Sequence, residues 1–147
     1  MNNYPSWWNT TITLYNKFEK PDGEIKWFKH HIEGCFYKQT MEKLTIGDTT
    51  IAANQSVCRL RVSDSFADPI AWKAMEDSGK ATYYTLKSGD IIVAGEVDFD
   101  VNEYQKGSRS SDLKDTYTDW PGCFTVEHAA INVGGGRGNE HYLARGM

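Results

Sequence analysis

A chain of 147 residues is one domain by length, and long enough to bury a core of its own. Its net charge of −4 excludes general nucleic-acid binding, because phosphate neutralisation needs a basic surplus. Apolar content is slightly low at 39% while aromatics reach 13%, with five Trp and eight Tyr, the balance of a thin β-fold with aromatic anchors.

The start, Met1-Asn-Asn-Tyr-Pro-Ser-Trp-Trp8, has neither the basic nor the apolar region of a secretion signal. No stretch approaches membrane-spanning length. The glycosylation acceptors at Asn9 and Asn54 therefore carry no weight, and the expected location is a cytoplasm until assembly into something larger. Trp7 and Trp8 suit a core or an interface equally.

From Thr10 to Phe18, Ile12, Leu14 and Phe18 alternate with polar residues at period two, which predicts a strand with one wet face. Lys20-Pro-Asp-Gly23 is a turn, with Pro fixing φ and Gly accepting the opposite sign. Glu24 to Ile32 reads as the return strand, and Gly34 to Lys38 as a third, with Gly34 marking a bend. Gln39 to Gly47 fits either a strand or a connector. Two further strands are expected at Asp48–Ala52 and Ser56–Val62, the second with Cys58, Leu60 and Val62 toward the core and Val57, Arg59 and Arg61 opposite.

Ser63 to Lys80 reads as a long connection with a turn or two of helix around Trp72. Thr82 to Val97 then has the pattern of a central hairpin: a Thr/Tyr-rich half, a turn at Lys87-Ser-Gly-Asp90, and the β-branched run Ile91-Ile-Val93 that needs cover on both faces. Gly95 suggests the bulge or bend that curls a small sheet. Asp98 to Gly122 is a polar excursion, and one this long inside a compact domain is usually functional. Ser110 or Ser111 is a candidate N-cap for a short helix within it. Cys123 to Val133 resumes a strand, Gly134-Gly-Gly-Arg-Gly138 turns, and His141 to Arg145 is the last strand. The expected fold is mainly β: a strongly curved barrel or sandwich of about seven to eight antiparallel strands, an extended arm over 1–9, a projecting loop over 98–122, and at most one or two short helices.

Catalytic chemistry is sparse. The glycine run at 134–138 lacks the Lys-Ser/Thr ending of a phosphate loop and precedes a strand, so it reads as a hairpin turn with Arg137 at its tip. His30, His31, His128 and His141 form no ligand set with a Cys, and no metal or cofactor is expected. Glu96, Asp98 and Asp100 alternate as paired carboxylates would, but no base, nucleophile or oxyanion device accompanies them. They read as a solvated acidic edge. Cys35, Cys58 and Cys123 are odd in number and set among apolar residues, as buried reduced thiols are. The expectation is a chain that is not an enzyme.

Trp7-Trp-Asn-Thr-Thr-Ile-Thr-Leu-Tyr-Asn-Lys-Phe18, Glu33-Gly-Cys-Phe-Tyr37, Ser88-Gly-Asp-Ile-Ile-Val-Ala-Gly-Glu-Val97, Arg109-Ser-Ser-Asp-Leu113, Ala130-Ile-Asn-Val-Gly134 and Glu140-His-Tyr142 together resemble short structural-module proteins of tailed bacteriophages and prophages of Firmicutes. The resemblance spans nearly the whole chain. It implies a virion protein of the head-to-tail neck, similar to head-completion (stopper) proteins: β-barrels in a homo-oligomeric ring of about six or twelve copies between the portal-adaptor and the tail. Tyr4, Trp7, Trp8, Arg137, His141 and Tyr142 are then the expected ring or partner interface. Asp98, Asp100, Glu103, Tyr104, Arg109, Asp112, Asp115 and Asp119 are expected to face the DNA channel, the acids repelling phosphate as duplex passes. The alternatives are a tail terminator or other tail-associated ring protein and, in another class, a carbohydrate-binding module stacking sugars on Trp and Tyr.

Overall fold

The computed structural model describes residues 4–47, 49–117, 122–132 and 140–146, with backbone alone for 40–46 and 49–54. Six strands, β1 (Thr10–Glu19), β2 (Ile25–Ile46), β3 (Thr49–Arg61), β4 (Ile91–Ala94), β5 (Cys123–Asn132) and β6 (His141–Gly146), close into a barrel in the order β1-β2-β3-β6-β5-β4. Every neighbouring pair is antiparallel. Among the described residues three short helices accompany them, α1 (Pro69–Lys73), α2 (Asp77–Thr82) and α3 (Ser110–Thr116), more than the one or two expected. The mainly β, strongly curved barrel expected from the sequence is the fold observed.

The strand count is lower than expected because two pairs of predicted strands are continuous. β2 runs for 22 residues through both its predicted pieces and the ambiguous 39–46 segment. β3 likewise joins the two strands expected on either side of Asn54. The bend at Gly34 is real: its φ is +71°, and it lets one strand serve two sheets. Residues 25–35 of β2 pair with β1, and residues 36–46 pair with β3. β5 makes the other corner, pairing with β4 up to Thr125 and with β6 after a register shift between Val126 and His128. Gly146 belongs to that corner, since a Cβ there would lie 1.9 Å from the Thr125 carbonyl oxygen.

Alternation along β1 fills the interior with Ile12 and Leu14, which meet Cys35, Cys58, Leu60, Ile92, Phe124, Val126, Tyr142 and Ala144. The predicted core face of β3 is thus correct. On the opposite face, Tyr15 from β1 joins Ile91 and Val93 in a second cluster outside the barrel, covered by Val97, Phe99, Val101 and Leu113. That is the two-sided cover the Ile91–Val93 run demanded.

The central hairpin is not formed. Thr82 ends α2, and the following residues lie extended with one isolated bridge, from Tyr84 to Phe66. A side chain replaces the missing strand partner. The Asn16 carboxamide donates to the Thr85 carbonyl at 2.8 Å and accepts from the Thr85 N–H at 3.1 Å, as a backbone amide would. Its second N–H reaches Asp90 Oδ2 at 2.8 Å. Asp90 is fully buried and also accepts from the backbone N–H of Lys17 and of Lys87 and from the Lys87 ammonium. So anchored, the 63–90 connection threads Tyr84 and Leu86 into the interior and closes that end with Trp72, edge-on to Phe18 and Phe28. Asp68 caps α1 through Ala71 N, with Pro69 in the first turn, as that dipeptide suggests.

Truncating Asn16 to Ala leaves both Thr85 backbone groups unpaired in the interior, so unfolding in urea should show a loss of about 3 kcal/mol. A loss under about 1 kcal/mol would mean that Asn16 does not seat this segment.

Candidate functional site

The residues expected at an interface divide sharply. Tyr142 is a core residue, stacked on Phe66 at 3.9 Å between ring centroids. Its even position on β6 turns it inward, while the neighbouring His141 faces out against Trp8. Tyr4 and Trp8 stack on each other at 5.3 Å and lie on the chain's own barrel. The Tyr4 hydroxyl accepts from Val62 N–H at 2.8 Å and donates to the Glu140 carbonyl at 2.9 Å. Trp7 alone of the three stays 58% exposed, edge-on to Phe36. Arg137 lies outside the described residues.

Arg61 holds the arm in place. It donates from Nε to the Gly34 carbonyl at 2.8 Å and from Nη2 to the Trp8 carbonyl at 3.0 Å, with its guanidinium over the Tyr4 ring. Arg59 sits similarly over Phe36. The outward phase of Arg59 and Arg61 is legible from period two. Their aromatic partners are not, because they come from the arm and from β2.

The acidic excursion does not stand off the barrel over its described part, 98–117. Val97, Phe99 and Val101 alternate with Asp98 and Asp100, pressing an apolar side onto β1 and β4 while the acids face water. The Tyr15 hydroxyl donates to the Phe99 carbonyl at 2.6 Å. Burial pushes that phenol's pKa well up. Lys29 pairs with Asp100 at 2.7 Å, and His31 with Glu96 at 3.2 Å.

Glu103 is structural: it accepts from Trp27 Nε1 and from Ser110 N–H, both at 3.0 Å. Tyr104 is 64% exposed, yet its hydroxyl accepts from Ile25 N–H at 2.9 Å. The N-cap of α3 is Arg109 rather than a serine, and the Asp112 carboxylate accepts from the Arg109 N–H at 3.0 Å. Asp98, Asp100 and Asp115 remain exposed as an acidic surface. Asp119 and Trp120 lie outside the described residues.

A polar cleft of about 580 Å³ opens where β2 leaves β3, between residues 29–33, Arg61, Ser63, Ser65 and the end of α2. His30 and Tyr84 stand at its floor, buried. Burial lowers the His30 pKa to about 4. Among the described residues no group of three or more His, Cys, Asp or Glu is placed to hold a metal ion. Cys35 and Cys58 are buried and unpaired by disulfide, and burial pushes the Cys58 thiol up. No described helix is long and apolar enough to cross a membrane.

The feature that sequence reasoning missed is a projection built from β2 and β3. Among the described residues, 40–46 of β2 pair with β3 alone and 49–55 of β3 pair with β2 alone. This two-stranded ribbon therefore runs out of the barrel, for roughly 20 Å at about 3.3 Å per residue. Its first rung, Thr40 opposite Gln55, lies on the same ladder as the Phe36–Arg59 pair, so it continues from the aromatic–arginine patch. The Gln39–Gly47 ambiguity conceals it.

Comparison with known families is decisive for descent. The profile matching residues 7–147 is described as a family of unknown function (DUF6751). The chain belongs to that family. No curated protein and no solved structure matches it. The DUF6751 match begins at Trp7, just before β1, and includes both strands of the ribbon.

Two measurements follow from this geometry. The neutral form of His30 is favoured in the fold, so its contribution is complete above pH 6.5 and is lost as pH falls from 6.5 toward about 4. The loss should reach about 3 kcal/mol in urea titrations, and His30→Phe should flatten that slope. Trp8→Ala should cost about 3 kcal/mol, whereas Trp7→Ala should stay within about 1 kcal/mol. Equal losses would show that both indoles belong to the core.

Proposed function

We propose that this chain is a non-enzymatic structural subunit of a tailed-phage virion, a ring-forming barrel of the head-to-tail neck of the stopper type. It joins the portal-adaptor on one side and the tail on the other. The observation that carries the reading is a closed barrel with a packed interior from which one β-ribbon extends, with Trp7 exposed against Phe36 on a strand that feeds it. Such a body is suited to rigid placement, and such an extension to reaching a neighbour. The motif resemblance along the chain supplies the virion setting.

The acids of the 96–115 segment give the reading its electrostatics. Glu96, Asp98, Asp100 and Asp115 are exposed along this segment and, with Lys29 beside Asp100 and with Lys106, Arg109 and Lys114 interspersed, leave it acidic on balance. Facing a channel, that acidic balance repels phosphate and lets duplex slide without being gripped. DNA is a passing neighbour in this scheme, with no base contacts.

The test is proteomic and structural. Virions made from the genome that encodes the chain should contain it in ring stoichiometry, and cryo-EM should place its density between portal and tail. Virions that lack the polypeptide overturn the reading. Density in the ring that caps the head-proximal end of the tail tube, below the stopper layer, overturns the stopper position and favours a tail terminator.

A further inference from the structure

An isolated two-stranded hairpin is marginal in water, and exposed edges are ordinarily guarded by Lys, Pro or a bulge. The ribbon breaks both habits. Its β3 leg, Thr49-Thr-Ile-Ala-Ala-Asn-Gln55, holds no charge and no proline, and its outer edge pairs with nothing among the described residues.

A second unpaired edge lies on the same molecule. The N–H and carbonyl of Val126 bond to Asp90 and Gly89, but from Glu127 to Asn132 β5 pairs, among the described residues, with β6 alone. This edge, Glu127-His-Ala-Ala-Ile-Asn132, also lacks Lys and Pro and carries one carboxylate, at its start. Ile131 on it is 40% exposed. The two edges match in length and in their near absence of charge, so joining them sets no like charges opposite each other and strips water from at most one carboxylate.

We propose that the ribbon is a docking arm for a second copy of this chain: its 49–54 edge adds as a strand to the 127–132 edge of the neighbour. The inference rests on the ring reading and names the contact that would build it. Donor and acceptor edges are different surfaces, so the contact is head-to-tail, the type that closes into rings. Each copy then gives one edge and receives one, and in a closed ring each weak contact is held by all the others. The new ladder supplies backbone hydrogen bonds by strand addition, with side chains fixing the register.

The experiment uses the full chain with the photo-crosslinker benzoylphenylalanine introduced at Ala53. Irradiation should give covalent dimers and higher multimers whose linkage maps to the 127–132 peptide of another copy. Ile131→Lys, at an exposed position and with its urea midpoint checked, should cut that product at least about tenfold. Amide exchange at 49–54 and 127–132 should slow together as protein concentration rises. Multimers crosslinked elsewhere overturn the arm while the ring reading stands. A chain that stays monomeric up to millimolar concentration, with both segments exchanging freely, overturns the arm too, and the virion measurement then judges the ring separately.

Discussion

One buried carboxamide seats the segment that closes an end of this barrel. Asn16 sits on the interior phase of β1 and treats Thr85 as a strand neighbour would, with Asp90 and Lys87 completing a buried polar node. A strand in place of 83–86 would fix the backbone through many ladder bonds. Here Asn16 does so with two at Thr85, beside the bonds that Tyr84 makes with Ser65 and Ala67, and the rest of the connection turns into the barrel and seals its end. Burial drives the pKa of the Asp90 carboxyl up and that of the Lys87 ammonium down, each countered by the other's charge. A node of this kind fixes position more than it adds stability, because every polar atom in it must find its partner or be left dry and unpaired.

The two sheets depend on that seal. β2 and β5 each pass from one sheet to the other, through Gly34 and through the shift after Val126. Corner strands leave gaps where they cross: the arm lies beside Gly34, and the 63–90 connection borders the cleft where β2 leaves β3. Arg61 ties the arm to that corner by bonding the Gly34 and Trp8 carbonyls together. Aromatic residues that composition alone suggests for partners are therefore partly consumed within the chain.

Short-range chemistry is legible in the sequence and long-range substitution is not. β1, the Lys20–Gly23 turn, β5 and β6 follow from period two and turn residues, since each signal lies within its own element. The hairpin pattern at 82–97 misleads for a physical reason. Strand-like composition, as in Tyr83-Tyr-Thr-Leu86, says what suits an extended chain but not what will pair with it, and the partner is a side chain 69 residues away. The excursion after Asp98 looks like a projecting loop when its acids alone are weighed. The apolar half of the same alternation, Val97, Phe99 and Val101, records its packing, and needs only to be counted with them. Tyr142 belongs inside although the resemblance points it outward, and the opposite phase of its neighbour His141 carries that information in the strand pattern.

The continuity of β2 has a mechanical consequence. A single strand of 22 residues passes from the turn at Lys20–Gly23, through both sheets, to the outer tip of the ribbon. Tension applied at that tip loads the β1–β2 and β3–β6 ladders that anchor the ribbon in shear, so the bonds must rupture together and not one at a time. A layer of such molecules under internal pressure would transmit stress through covalent chain, with the barrel as a stiff anchor at one end of each tether.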